Sequence, residues 1–553
     1  MHFGTVLIIG GVAAGTKTAA KTKRENPDFR VVVLTREKHV SYAGCGLPYY
    51  IGDVIREEKE LVVRKPEDFR TDNDIEIVTG FEAVNILPEA KKVVARDVSS
   101  SEESEFSYDK LVLATGASPF IPPVPGAGLK KIYTVRTVSE TLKMKELISS
   151  GGVKSAVVVG GGLIGLEMAE NLSHRGIKTT VVELAGQVLP PYDYEVALHV
   201  ENHLREKGVE VITGTAITGF KDNGLGGVSA VLTEKGSIGA DMVVLAVGVR
   251  PNVELARKCG IALGSTGAIK VNDKMETNLK DVYAVGDCAE NLNLITGHSC
   301  WYPMGSTANK TGRVAGQNLS GPGQDSMPGV LGTSIVKVFD MHVAKTGLSE
   351  KEAEALAYDV ETVLVPAKDR AHYFPGNREI ITKLIVDRGS RRVLGGQIFG
   401  EGVVDKPVDI LATAISFGAT VDQLAKLDLA YAPPFSSAMS TTIVSANVMI
   451  NKLAGKFIGV SPGDLLKKKE EGAVFLDVRE PEEFFLRAIP DSVNIPLKKL
   501  AGHADELAKE KEIVVICKVG LRSYAANLRL KKMGFNRVGI LEGGICAYPY
   551  ETE

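Results

Sequence analysis

Short apolar runs that break abruptly into glycine recur along the chain, and several lead into stretches of helix-forming composition. The first reads TVLIIGGVAAG over residues 5–15. An apolar run of this length fits a buried strand, and Thr16 to Arg24 continue as a helix, so the order is strand, turn, helix. Gly10 permits the tight turn and Gly15 lets helix and strand approach closely, while the helix N-terminus offers N–H groups to a pyrophosphate. Val12, followed by Ala13, stands where a second glycine is usual. The second copy, SAVVVGGGLIGLEMAENL from residue 155, carries Gly160, Gly162 and Gly165 in full G-x-G-x-x-G spacing. Its next apolar run, KTTVVEL, brings in Glu183 about twenty residues beyond the turn. An acid there can accept a hydrogen bond from a ribose 2′-hydroxyl and repels a 2′-phosphate, which favours NADH over NADPH. Two such units in one chain predict two dinucleotides with hydride passing between nicotinamide and flavin.

The pattern changes after a connecting stretch at 446–455. From about residue 456 the chain reads KFIGVSPGDLLKKKEEGAVFLDVREPEEFFLRAIPDSVNIP, and further on EIVVICKVGLRSYAANLRL gives an apolar strand, a loop opening with Cys517, and a helix. The N–H groups of such a loop, closed by Arg522, predict an anion cradle suited to a thiolate or a cysteine persulfide, and Lys518 adds positive charge.

A length of 553 residues exceeds what one core supports, so several domains are expected. With 65 basic against 68 acidic side chains, net charge gives no reason to expect nucleic acid or an anionic membrane as partner. No run approaches the ~20 apolar residues of a membrane span, and the opening apolar run is too short for a signal segment, which predicts a cytoplasmic enzyme. Six cysteines in such a chain form no disulfide framework and none are paired at metal-ligand spacing, so no metal is expected.

One cysteine stands in a context of its own. The segment SYAGCGLPYYIG places Cys45 three residues before Pro48, a residue favoured in a helix's first turn, and predicts a thiol at a helix N-terminus with a lowered pKa. Position 50 is tyrosine, so a C-x4-C pair is absent and a single thiol acts alone. Such a thiol holds its oxidising equivalent as a mixed disulfide, a persulfide or a sulfenic acid. Lys17, Lys21 and Arg24, spaced by four and three, share one face of the first helix. The stripe suits phosphates, or is a solvated helix face.

The ordered set of first glycine turn, LVLATGASP (111–119), second glycine turn, VLAVGVRPN (244–252) and VYAVGDCAE (282–290) resembles the pyridine nucleotide-disulfide oxidoreductases over residues 1–445. The single-cysteine motif is similar to that of coenzyme A disulfide reductases and their persulfide- and polysulfide-reducing relatives, and the C-terminal pattern resembles a rhodanese domain. The resemblance implies an α/β architecture: an FAD-binding Rossmann-like domain at 1–115 and 246–325, an NAD-binding one at 116–245, an α+β dimerisation domain at 326–445, and an α/β rhodanese-like domain at 456–553. It places Gly10, Val12, Ala13, Gly15, Thr35 and Arg36 toward FAD, with Thr35 standing where the family has an acid and Glu37 two residues on. It gives Asp287 the flavin ribityl chain and packs Ala114, Thr115 and Gly116 near the flavin. Coenzyme A is implied as substrate carrier, met by Lys17, Lys21, Arg24, Ser41 and Asn309, although Gly44 replaces the asparagine usual before the cysteine. Tyr373 and Tyr431 match two tyrosines that reach the partner's active site in a homodimer, where a phenol can serve a leaving thiolate. In the rhodanese-like part the six-residue loop Cys517 to Arg522 matches sulfur-transferring members, and Arg487 and Ala488 replace the usual Gly-His pair. The activity implied is NADH-driven reduction of a small-molecule persulfide, polysulfide or coenzyme A disulfide. The alternatives are an NADH oxidase or peroxidase, whose family histidine is Ala13 here, and a flavin redox sensor or sulfur carrier.

Overall fold

The computed structural model describes residues 4–321 and 325–553. The chain divides into two compact units: one runs to Gly186 and resumes at Val209–Val330, the other comprises Gln187–Gly208 and Leu331–Glu553.

The first unit is built on two open parallel sheets. In one, the strand order is Val282–Ala284, Lys110–Leu113, Thr5–Ile9, Arg30–Thr35, Ile75–Thr79, so the chain returns after the second sheet to pair Val282–Ala284 with Lys110–Leu113. The strands are apolar on both faces because both are covered, and Val6, Ile8, Val31 and Val33 share a core with residues of the helices Ala13–Glu25 and Gly305–Leu319. Those helices touch at backbone distance: a Cβ on Gly312 would lie 2.6 Å from the Ala14 carbonyl oxygen. The second sheet has the order Glu210–Ile212, Lys178–Val182, Ser155–Val159, Met242–Leu245, Ile132–Tyr133, all parallel. In both sheets the strand next to the glycine turn is central, as expected of doubly wound folds.

The second unit contains an antiparallel sheet ordered Ser334–Val338, Met341–Gly347, Val393–Gly400, Glu379–Asp387, Val360–Lys368, and a parallel sheet ordered Ile458–Val460, Val538–Leu541, Ile513–Ile516, Val474–Asp477, Val493–Asn494. The helix Tyr194–Glu206, inside the stretch expected to bind NAD, belongs to this unit. Polar bonds explain why: the Asp193 N–H donates to Gln397, and Asn202 donates to the Pro549 carbonyl at 2.7 Å. The two sheets of this unit are also tied by Lys452, which bonds the Thr362 carbonyl and pairs with Glu361 and Glu542 in a largely buried triad. Among the described residues no helix is long and apolar enough to cross a membrane.

His199, on the same helix, packs against the Phe399 ring at 5.0 Å between centroids. Burial pushes its pKa down to about 4, against a bond to the Ala547 backbone and with Arg487 adding repulsion. The folded value lies below the ordinary one, so the unfolded chain takes the proton first. His199 therefore contributes stability above about pH 6.5 that is lost as pH falls toward 4, on the order of 3 kcal/mol. The thermal midpoint of this unit should fall more steeply between pH 7 and pH 5 in the wild-type protein than in His199→Leu, and parallel curves would refute the assignment.

Candidate active sites

Both glycine turns are closed against the neighbouring strand. A Cβ on Gly10 would lie 2.1 Å from the Ala114 carbonyl oxygen, and one on Gly160 2.4 Å from that of Ala246. At Gly15 and Gly165 it would meet the carbonyls of Gly10 and Gly160 at 1.8 and 1.9 Å, so helix and turn touch with no room for a side chain. Gly162, by contrast, faces open space. The helices Ala13–Glu25 and Leu163–His174 begin without a side-chain cap, leaving their first N–H groups for another acceptor. A pyrophosphate at each N-terminus suits that deficit. Val12 occupies the first cap position, its carbonyl accepting from Thr16. Glu183 is buried and its two oxygens accept from Gly161 N–H at 2.6 Å and Ala185 N–H at 2.7 Å, each retaining a lone pair for a ribose hydroxyl.

Around the first turn, Thr35 is buried and accepts from Glu37 N–H at 3.3 Å, while Arg36 is exposed and 3.4 Å from both Glu37 and Glu82. Ser41 adopts a left-handed conformation, φ 47°, and its N–H donates to the Gly11 carbonyl at 2.9 Å, which fixes the approach to Cys45. Thr115 and Asn252 exchange two hydrogen bonds of 2.8 Å and hold the Ala114-Thr115-Gly116 turn. Cys288, next to Asp287, is fully buried and donates to the Leu113 and Val285 carbonyls, a packing role.

Cys45 sits in a 3-10 turn, Gly44–Gly46, just before the helix Leu47–Ile51 that carries Pro48 in its first turn. The helix is there, but five residues sum to a weak dipole. The expectation of a lowered pKa is reversed: crowding of protein atoms around the sulfur pushes the thiol up, with Glu167 and Asp287 adding to it and Arg136 opposing, although the side chain still reaches the surface. Arg136 lies 3.3 Å from Asp287, whose carbonyl accepts from the Trp301 indole at 2.8 Å; the Arg136 carbonyl accepts from the Tyr42 hydroxyl. Neither Arg136 nor Glu167 stands out in the sequence except as a charge close to a motif.

The expected cationic stripe is thinner than the spacing suggests. Lys21 is buried and pairs with Glu25, so its charge is spent within the helix; Lys17 is half-buried and Arg24 exposed. Asn309 is exposed on the helix Gly305–Leu319, its amide bonded to the Gly305 carbonyl. In the second unit Tyr373 and Tyr431 are exposed and their hydroxyls meet at 3.4 Å across 58 residues of sequence, one surface site rather than two scattered aromatics.

Cys517 is 1% exposed and its sulfur accepts from Gly520 N–H at 3.1 Å and Ser523 N–H at 3.4 Å, where the helix Leu521–Lys532 begins. Gly520 has φ 106°, a conformation that turns its N–H inward and that a side chain would strain. The backbone cradle is formed. Arg522, in charge range of Cys517, is held by a two-point bond of its guanidinium with Glu483, at 2.6 and 2.7 Å, which holds that carboxyl well below its ordinary range, to about 2.

Two nucleotide turns, a lone thiol beside them and a sulfur-cradling loop define a flavin-type disulfide oxidoreductase joined to a sulfurtransferase-like domain. The chain belongs to the pyridine nucleotide-disulphide oxidoreductase family, whose description matches residues 4–302, with its dimerisation domain over 333–443 and a rhodanese-like domain over 461–549. It is an enzyme of the class that works through FAD and NAD(H). It is 37% identical over 448 residues to an NAD(P)H coenzyme A polysulfide/persulfide reductase of Pyrococcus horikoshii, covering 80% of this chain and 98% of that protein. It is equally, at 37% over 451 residues, similar to an NADH oxidase of Methanocaldococcus jannaschii, covering 81% and 99%. Over its whole length it resembles the solved NAD-dependent persulfide reductase from A. fulgidus, with a TM-score of 0.94, 42% identity and coverage of 99% of this chain and 100% of that one.

Proposed function

We propose that this protein is an NADH-dependent reductase of sulfur-sulfur bonds that takes coenzyme A persulfide, polysulfide or coenzyme A disulfide at Cys45 and loads sulfane sulfur at Cys517. The observation that carries the reading is the pairing, on one chain, of a lone surface-reaching thiol beside two nucleotide turns with a buried sulfur accepting two backbone N–H bonds. FAD, when bound, supplies the two-electron link between NADH and the thiol. The chain's residues do the rest. Gly10 to Gly15 and Gly160 to Gly165 hold the pyrophosphates, Glu183 takes the NADH ribose, and Asp287 with Thr115 lies on the flavin side. The Cys45 thiolate attacks the S–S bond and releases one half as a thiolate. Lys17 and Arg24 offer charge to coenzyme A phosphates, with Ser41 and Asn309 beside them. Tyr373 and Tyr431 lie in the dimerisation domain and serve the partner subunit's departing thiolate in a homodimer; the enzyme works in the cytoplasm. Fusion of the two sulfur sites on one chain raises the concentration of each for the other's product.

The similarity to an NADH oxidase gives a second reading in which oxygen takes the electrons. Ala13 in the first turn and the rhodanese-like domain speak against it. Steady-state NADH oxidation by the holoenzyme with coenzyme A persulfide, polysulfide and coenzyme A disulfide should exceed that with oxygen or peroxide in kcat/KM by about a hundredfold. Turnover with oxygen that equals or exceeds turnover with every sulfur compound would transfer the assignment to the oxidase.

A further inference from the structure

The helix Leu521–Lys532 buries two polar side chains that have no hydrogen-bond partner among the described residues. Ser523 and Asn527 are both 0% exposed, and the unpaired atoms are Ser523 Oγ and Asn527 Oδ1 and Nδ2. A buried hydroxyl or amide without a partner weakens the fold, so a position that keeps one calls for a role. Ser523 is also the residue whose N–H donates to the Cys517 sulfur at 3.4 Å. Three covalent bonds separate that nitrogen from Oγ, which keeps the hydroxyl oxygen within about 3–4 Å of the nitrogen in every rotamer. A change of χ1 alone therefore moves the hydroxyl among three positions beside a nitrogen that already touches the sulfur. Asn527 stands one turn on, about 6 Å farther along the helix axis. The backbone at Cys517 is held from behind: its carbonyl accepts from Ile545 N–H at 2.9 Å, and a Cβ on Gly544 would lie 2.3 Å from that oxygen.

We infer that Ser523 is a catalytic residue of the sulfur-transfer site, its hydroxyl donating to the Cys517 sulfur as that sulfur becomes the leaving thiolate. The inference deepens the reading of Cys517 as the sulfur-loading site and rests on it. In loading, the Cys517 thiolate attacks the sulfane sulfur of thiosulfate and gives Cys517–S–S⁻ and sulfite, so negative charge moves off the inner sulfur. In unloading, an acceptor thiolate R–S⁻ attacks the outer sulfur, the S–S bond breaks, and its electron pair returns to Cys517 Sγ. Cys517–S–S⁻ and R–S⁻ thus give Cys517–S⁻ and R–S–S⁻; with cyanide the product is thiocyanate. Neither step takes up a proton or an outside electron. A donor aimed at Sγ assists the second step, where charge gathers on that atom, and not the first. Gly520 N–H and Ser523 N–H are two such donors, fixed by the backbone. A hydroxyl that turns with χ1 is a third, and it follows the charge as the fixed pair does not.

The test is steady-state kinetics of the full-length FAD holoenzyme with thiosulfate as donor and cyanide as acceptor, in the wild-type protein, Ser523→Ala and Asn527→Ala. The enzyme alternates between thiolate and persulfide forms, so kcat/KM for thiosulfate reports loading and kcat/KM for cyanide reports unloading. Ser523→Ala should lower the cyanide value about tenfold and leave the thiosulfate value at or above that of the wild type. The share of the Cys517 peptide that carries one extra sulfur during turnover, read by mass spectrometry, should rise in the same variant. Asn527→Ala removes an unpaired group of the same kind farther from the sulfur and should keep both values within about twofold. An unchanged cyanide value in Ser523→Ala, or equal loss of both values as from a damaged loop, overturns the inference. So does an Asn527→Ala variant that reproduces the Ser523→Ala pattern. A wild-type protein that transfers no sulfur fails at the loading role of Cys517 itself, and the inference falls with it.

Discussion

Cys45→Ser is expected to lose NADH-driven sulfide release from coenzyme A persulfide by at least about 10³-fold, while Cys517→Ser keeps that activity within about twofold. The asymmetry follows from position. Cys45 is on the unit with both glycine turns and its sulfur reaches the surface, which suits it, under the proposed function, to receive the electrons. Cys517 lies at the mouth of the helix Leu521–Lys532, where backbone N–H groups stabilise a sulfur anion, as a sulfur-loading site requires. The converse assay completes the cross: transfer of sulfur from thiosulfate to cyanide should vanish in Cys517→Ser and persist in Cys45→Ser. Sulfide measured by methylene blue and thiocyanate by its iron complex read the two activities separately. If both variants lose both activities equally, the division of labour between the two sulfurs is wrong.

What the sequence discloses about these sites is local, and what it hides is remote. The strand-turn-helix units, the lone cysteine before Pro48 and the loop from Cys517 are runs of adjacent residues, and the structure has them as strands, turns and helices at those places. The helix Ala13–Glu25 starts three residues earlier than its composition suggests, because Ala13, Ala14 and Gly15 already belong to it. Pairings between distant residues are a different matter. Lys21 reads as part of a cationic stripe until Glu25 and the neighbouring helix bury it, and the sequence gives no hint that Glu483, 39 residues away, is what orients the Arg522 guanidinium. The pKa of Cys45 was the least legible quantity, since it depends on Glu167, Asp287 and Arg136, which come together only in the fold. A usable signal was present in one case: LIGLEMAENL puts an acid on the otherwise apolar first turns of a nucleotide-binding helix, and an acid there needs a reason.

The same signal, a charge in an apolar run, marks the residue whose loss should damage the fold most. Lys383 interrupts the strand Glu379–Asp387 between threonine and leucine and is 1% exposed. Its ammonium lies 2.5 Å from Glu195 and from Glu350 and 3.1 Å from Asp193. Burial alone would lower its pKa, but the three carboxylates outweigh burial and hold it protonated. Asp193 also accepts from Gln397 at 2.5 Å and from Glu350 N–H, so the acids are fixed by bonds that a substitution at 383 leaves in place. Lys383→Met fits the volume but removes the cation that pairs with all three acids, stranding carboxylates that water does not fully reach. The expected loss is about 3–5 kcal/mol, the cost of breaking a buried ion pair from one side. It should appear as a lower urea midpoint for the unit that holds residues 331–553 and as early protease cleavage within Gln187–Gly208, the segment that Asp193 and Glu195 anchor. Adding Glu195→Gln and Glu350→Gln to Lys383→Met should recover part of the loss, because neutral amides are cheaper to bury than unpaired carboxylates. A triple variant no more stable than Lys383→Met would mean that packing around the lysine stem, not its charge, holds that segment to the sheet.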